Sequence, residues 1–404
     1  MGRSSLIMVL GFSTALLMIG SNISKVSSAG MENYAIYNDA AISHAIAGAG
    51  INLAARALYE DPNWTQGFSN KSFGGGKFNV TVIDLGNERK RVTALATYAG
   101  YTRSVSVVVQ PSSFSRYAYY SSDDQNGYWI TGDTVWGPFH CNNYLNVAGT
   151  PVFEGRATCL KGMNNYQGLA RPKFLGGYDQ GIDVKLPLNL LRTKQKAQAG
   201  GRVFNGENLY IELHASGWIR WKSDASGWGD FGWNWDHIHD LTDNGVVWVD
   251  GKDIHVKGTL NGVLTLGTTQ DIWLDDDVVY AADPRLGYSN DMLGLVANQK
   301  IWITDNAANN GPGNNFTLMA SVFSRTDGLW AQNYNSRGVE GKMITVGGLT
   351  QKIGGYTGVF SGGQNPTVIQ GFEPGGTYYD QRLLNTAPPG FPTTGQYEIV
   401  SWFE

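Results

Sequence analysis

The residues best equipped for chemistry lie in WDHIHDLTDNG, which places Asp236, His237, His239, Asp240 and Asp243 in one short run. On an extended strand, residues i and i+2 share a face, so His237 and His239 could ligate one ion. No further His or Cys stands at a recognisable metal-motif spacing, and His255 would complete a site only if folding brought it near. A polar surface turn is the simpler reading. The run Asp275-Asp276-Asp277 could attract calcium, yet calcium loops space their ligands and that pattern is missing. A solvated turn is expected there. No metal ligand and no cofactor are therefore assigned.

Nucleophile chemistry fares no better. The chain has no GxSxG elbow. Its carboxylates and arginines would suffice for a polysaccharide-cleaving enzyme but form no distinctive constellation. Its two cysteines, Cys141 and Cys159, cannot make a four-ligand zinc site alone. In an exported protein they would close a disulfide around a hairpin-sized loop, worth about 3 kcal/mol. Two buried thiols are the alternative. No catalytic residue is assigned, and the chain is read as a non-enzyme.

What must position these residues follows from composition. Charged residues make up only 16% of 404 positions, with 53 Gly and abundant Asn, Thr and Tyr. That suits a turn-rich β protein outside the cytoplasm rather than a disordered chain. A net charge of -4, with no Lys/Arg-rich run, gives no electrostatic case for nucleic acid.

The first sixty residues differ. From Leu6 to Ile19 only Gly11, Ser13 and Thr14 interrupt an apolar run, and no acidic residue precedes Glu32. The run has the length of a signal-peptide core, and SSAG at 27–30 offers a cleavage site after Ala29. Beyond it, however, Tyr34, Tyr37, Ala41, Ala45, Gly48, Ile51, Ala55 and Leu58 recur at steps of three and four, the spacing of one helical face. Small residues on that face would let another helix approach closely. Asp61–Pro62 ends the pattern. With Gly20–Asn22 bridged, one helix runs from about Ser4 to Tyr59, roughly 80 Å at about 1.5 Å per residue.

Strand-like segments follow at Phe78–Asp84, Lys90–Tyr98 and Tyr101–Gln110, with turns at Asn87 and Ala99-Gly100, so a meander is expected. It would pack on the helix with Arg91 and Arg103 toward solvent. Farther on, IHVKGTLNGVLTL alternates with period two and has glycines on its inner face where the chain can bend. QDIWLDD and QKIWITD repeat one pattern, loosely echoed by GYWITGD. Such recurrence suits a β-solenoid, with a β-sandwich as the competing reading. If the aliphatics of IWL and IWI face the core, Trp273 and Trp302 lie outside. They would then mark an interface or a surface on which sugars stack. Pro388, Pro389 and Pro392 make an extended segment that would lie across the body, anchored by Tyr397 and Trp402. Four glycan-acceptor triplets, at Asn63, Asn70, Asn79 and Asn315, indicate surface exposure and little more.

GRSSLIMVL, AIAGAGINLAARALYEDPNW and KFNVTVIDLGNERKRVTALATYAGYTRSVSVVVQ together resemble the type IV pilins and pseudopilins, specifically the large PilX-like members. The β-rich stretches GDTVWGPFHCNNYLNVAGTPVFEG, DMLGLVANQKIWIT and YYDQRLLNTAPPGFPTTGQYEIVSWFE extend the likeness over most of the chain. The resemblance implies a prepilin peptidase cut after Gly2, residence in the inner membrane, and then assembly by pilus machinery into an extracellular homopolymeric filament. The buried assembly surface would comprise Leu6, Ile7, Val9, Leu10, Phe12, Leu16, Leu17, Ile19, Ile23 and Val26, continued by Tyr34, Tyr37, Ala41, Ala45 and Gly48. Most filament-forming members also carry a glutamate early in the oily stretch. Here Ile7 and Met8 occupy the candidate positions, so that charge pair is missing.

The expected architecture is α+β but mostly β. A helix covers 1–60, a small antiparallel sheet 61–112, and a β-rich head, solenoid or sandwich, 113–404. The expected function is a filament subunit. The alternatives are a surface adhesin binding glycans at a filament tip and a secreted solenoid enzyme.

Overall fold

The computed structural model describes residues 2–61, 64–86, 89–224, 227–229, 231–362 and 365–403. Pro62, Asn63 and the Asn87 turn lie outside them. Two compact units result, one built from 1–111 with 395–404 and the other from 112–394.

In the first unit a single helix, α1, spans Arg3–Glu60 without a break. It ends where Asp61 turns extended, as the residue before a proline must. The predicted meander forms as β1 (Phe68–Phe73), β2 (Gly76–Gly86), β3 (Arg89–Tyr98) and β4 (Tyr101–Ser113), all antiparallel. The β3–β4 turn places Ala99 and Gly100 both at positive φ, the twist a two-residue hairpin requires. Arg91 and Arg103 are exposed, and alternate residues of β2, β3 and β4 face α1.

The strand Thr393–Phe403 completes this sheet beside β4. That corrects the expectation that the whole C-terminal segment lies across the β body. Residues 388–392 do so, with Phe391 in the core of the second unit. Tyr397 instead packs into the core between α1 and the small sheet. TTGQYEIVSWF itself has no proline, and Pro388, Pro389 and Pro392 confine the irregular extended stretch to the residues before it.

The second unit is a three-faced β-solenoid with parallel ladders. One face runs Arg202–Asn205, Val246–Asp250, Val263–Thr268, Met292–Ala297, then the later halves of Phe316–Ser324 and Val339–Ile353. It continues, unexpectedly, with Tyr119–Asp123, Phe139–Cys141, Ala157–Cys159 and Tyr178–Gln180. Coils early in sequence are thus stacked onto the last coil made. Residues 181–201, including helix α2 (Leu191–Gln198), connect the end of one stack to the start of the other. They travel outside the first face, where Leu190 and Ala197 pack with Tyr120, Trp248 and Phe323. Thr193 donates to the Gly390 carbonyl at 2.7 Å and fixes this covering layer.

Ile254, Val256, Leu260, Leu264 and Leu266 all point inward and are buried. Gly258 and Gly262, at φ 101° and 131°, make the corners between their strands.

Candidate functional site

The rings of His237 and His239 stack at 5.4 Å, but the other metal candidates do not join them. Strand Asn234–His237 ends at His237, and Ile238–Leu241 is a helical turn, so His237 and His239 do not share a strand face. The His237 ring lies on Trp218 at 4.0 Å, and its Nδ1 is 3.1 Å from the Gly217 carbonyl. Asp236 accepts the Trp221 indole N–H at 2.7 Å. His239 is paired at the surface with Asp240. Among the described residues, no group of three or more His, Cys, Asp or Glu is close enough to hold a metal ion.

The Asp275–Asp277 run is not the solvated turn its composition suggested. It lies within strand Ile272–Tyr280, where the ladder beside it is irregular between Val256 and Gly258. Asp275 is buried and accepts from Trp228 Nε1 at 2.6 Å, with His255 Nδ1 at 2.8 Å and a hydrogen bond from Thr304. Burial alone would raise its pKa. The bonds from His255 and Thr304 outweigh that and hold it below the ordinary carboxylate value. Asp277 accepts the Thr317 amide at 2.7 Å, and burial raises its pKa.

Cys141 and Cys159 form no disulfide; both are buried free thiols. They face each other in register on neighbouring parallel strands. Such strands hold equivalent side chains about 4.8 Å apart and parallel, whereas a disulfide draws Cβ atoms to about 3.8 Å. Each thiol has its own partners. Cys141 Sγ donates to the Tyr144 carbonyl at 3.4 Å, and Cys159 Sγ lies 3.0 Å from Tyr178 Oη. Burial pushes the Cys141 pKa up to about 12, which keeps it protonated.

Trp273 and Trp302 do lie outside the solenoid, with Ile272, Leu274, Ile301 and Ile303 inside. They belong to a longer ladder in which Tyr210, His255, Trp273, Trp302 and Trp330 stand in register on successive coils. Trp273 and Trp302 stack at 5.6 Å and 21°. Lys300 sits over Trp302 at 4.7 Å and over Trp330 at 5.1 Å. Asp253, Asp271 and Asp327 accept the indole N–H groups of Trp273, Trp302 and Trp330. Faces turned toward one another are withdrawn from a sugar ring, so this ladder stiffens the stack rather than offering a stacking platform.

The remaining surface is α1. Every residue from Ser5 to Asn38 is exposed. Leu6, Ile7, Val9, Leu10, Phe12, Leu16, Leu17, Ile23 and Val26 each exceed 60% exposure, and Ile19 has 55%. Packing begins at Ala40, and Ser43, Ile46, Ala47, Gly50, Ile51, Ala54 and Leu58 form the buried face. The stripe read from the sequence is therefore divided. Tyr34, Tyr37, Ala41 and Ala45 remain exposed, Gly48 and Ala55 are half-buried, and Ile51 and Leu58 enter the core. Small residues occur all around AISHAIAGAGINLAARAL, so spacing alone did not choose the face that the sheet covers.

No protein family matches the chain, and no curated protein does. Among solved structures, the competence-associated pilin ComZ from Thermus thermophilus is similar over 90% of this chain and 97% of its own, at 11% identity and a TM-score of 0.29. A likeness at that level assigns no role. What the chain displays by itself is a long helix, apolar and exposed at its start, followed by a large β-rich body.

Proposed function

We propose that the chain is a pilin-like structural subunit that polymerises through the first half of α1 and displays the solenoid head outside the cell. The observation that carries this reading is the unbroken helix whose apolar half stays exposed from Leu6 to Asn38. Leu6–Val26 is long enough to cross roughly 30 Å of hydrocarbon before assembly. Fully burying each large aliphatic side chain contributes roughly 1.5–3 kcal/mol. Several of them exceed the roughly 4–15 kcal/mol that association costs. Copies of the same helix supply the matching apolar surface, with the small Ala41, Ala45 and Gly48 allowing close approach.

On this reading Gly2 marks the processing site. The prepilin peptidase and inner-membrane assembly machinery act before the filament forms, and no catalytic role is invoked. The 61–112 segment with its helix is the assembly platform, and the rest is display. Intact mass and terminal peptide sequencing of surface-exposed protein provide the test. A terminus at or before Ser4 is expected; one near Gly30 would show the apolar stretch to be a discarded signal and overturn the reading.

A further inference from the structure

Where the coil of residues 348–379 abuts the coil of residues 119–135, two solenoid faces stay paired. Leu349 stands opposite Tyr119 on one, and Thr377 opposite Val135 on the other. On the third face, no strand pairing among the described residues links 354–358 to 126–130. That seam is bridged by Gly354 N–H to the Asp123 carbonyl at 2.8 Å and by Asn126 N–H to Tyr356 Oη at 3.2 Å. The walls part there around a cavity of about 480 Å³, within the roughly 300–1,000 Å³ typical of small-molecule sites. It exists because consecutive coils in space are not consecutive in sequence.

The lining is one-sided chemically. It contains the rings of Tyr128, Trp129, Tyr356 and Phe360 and the carboxyls of Asp124, Asp133 and Glu373, but no Lys, Arg or His. A phosphate, sulfate or uronic acid would meet acidic groups with no cation to offset them. Buried Asp124 and half-buried Asp133 are held by neutral donors. Asp124 Oδ1 accepts from Tyr119 Oη at 2.7 Å, and Asp133 Oδ2 accepts the Ile130 amide at 2.7 Å. Thr345 Oγ1 is buried without a hydrogen-bond partner. Such an atom is costly unless something completes it. Burial raises the pKa of both acids, Asp133 to about 7, so near neutrality Asp133 both donates and accepts. That also weakens any attraction for an organic cation.

We propose that this junction cavity binds an uncharged saccharide, a mono- or disaccharide unit, with its C–H faces against the aromatic rings and its hydroxyls on the carboxyl and Thr345 groups. The site lies wholly within the head and stands whether or not the chain forms filaments.

The test is saturation-transfer NMR on the full chain in a detergent without a sugar headgroup, using glucose, galactose, N-acetylglucosamine, maltose and lactose as probes. Transfer to at least one sugar is expected. Its affinity should fall by about tenfold or more in Phe360→Ala, which removes a half-buried ring of the lining, and in Val359→Trp, which fills space beside it. Circular dichroism checks that each variant folds; if Phe360→Ala does not, Val359→Trp decides. Trp302→Ala, on the outer ladder, should bind as the parent does. The proposal fails if no probe sugar binds, or if binding survives Val359→Trp. It also fails if Trp302→Ala abolishes binding in a folded chain, or if tetramethylammonium occupies the cavity in place of sugar.

Discussion

The two halves of α1 share a helix and an apolar character but differ in what lies opposite them. From Ala40 onward one face of the helix, including Ile46, Ala47, Ile51, Ala54 and Leu58, is covered by the sheet. A Cβ on Gly50 would stand 3.0 Å from the Phe78 ring and 3.2 Å from the Ala94 Cβ. From Leu6 to Asn38 every side chain is exposed, Leu16 and Leu17 among them. Within one subunit, apolarity alone therefore does not say whether a residue serves folding or association. An opposing surface does. The inner half packs on the small sheet and contributes to the stability of the chain, and the outer half is the surface that the proposed assembly would bury.

Four substitutions would break or sharpen that contrast. Leu16→Asp should have the largest effect, abolishing filaments seen by electron microscopy, because a charge facing hydrocarbon or packed helices is severely unfavourable. Its purified subunit should melt as the parent does, and intact filaments would refute the contrast outright. Ile51→Ala removes a fully buried inner-half side chain and should cost the helix–sheet unit about 2–4 kcal/mol in chemical denaturation. Protection of the solenoid amides from hydrogen exchange should not change. Ser43→Ala deletes the buried 2.9 Å bond from Ser43 Oγ to the Ala96 carbonyl and should cost about 1 kcal/mol. Leu17→Ala should shift subunit stability by no more than about 0.5 kcal/mol. A larger loss would mean that the outer half is already packed in the lone subunit.

Much of this was legible in the sequence. The apolar start, the Ala99-Gly100 turn and the alternation of IHVKGTLNGVLTL each reflect a local rule, and the helix, the meander and the inward solenoid residues followed. Features that depend on distant pairing were not legible. Nothing near Tyr119 announces that its ladder partner is Leu349. Nothing in the Asp275 run shows that Trp228, His255 and Thr304 will surround it. β1 was missed because FSNKSFGGGK looks like a loop until β2 pairs with it. The disulfide expectation failed on direction, since register in a parallel ladder aligns two side chains without converging them.

The order of coils sets a schedule for making the protein. Tyr119–Asp123 leaves the ribosome about 230 residues before the strand that covers one of its edges. Distant pairings of this kind slow folding and leave strand edges open meanwhile. The small sheet waits longer still, because its fifth strand is the final Thr393–Phe403 segment. A chain without Thr393–Phe403 would retain its apolar helix and its solenoid yet expose the bare edge of β4.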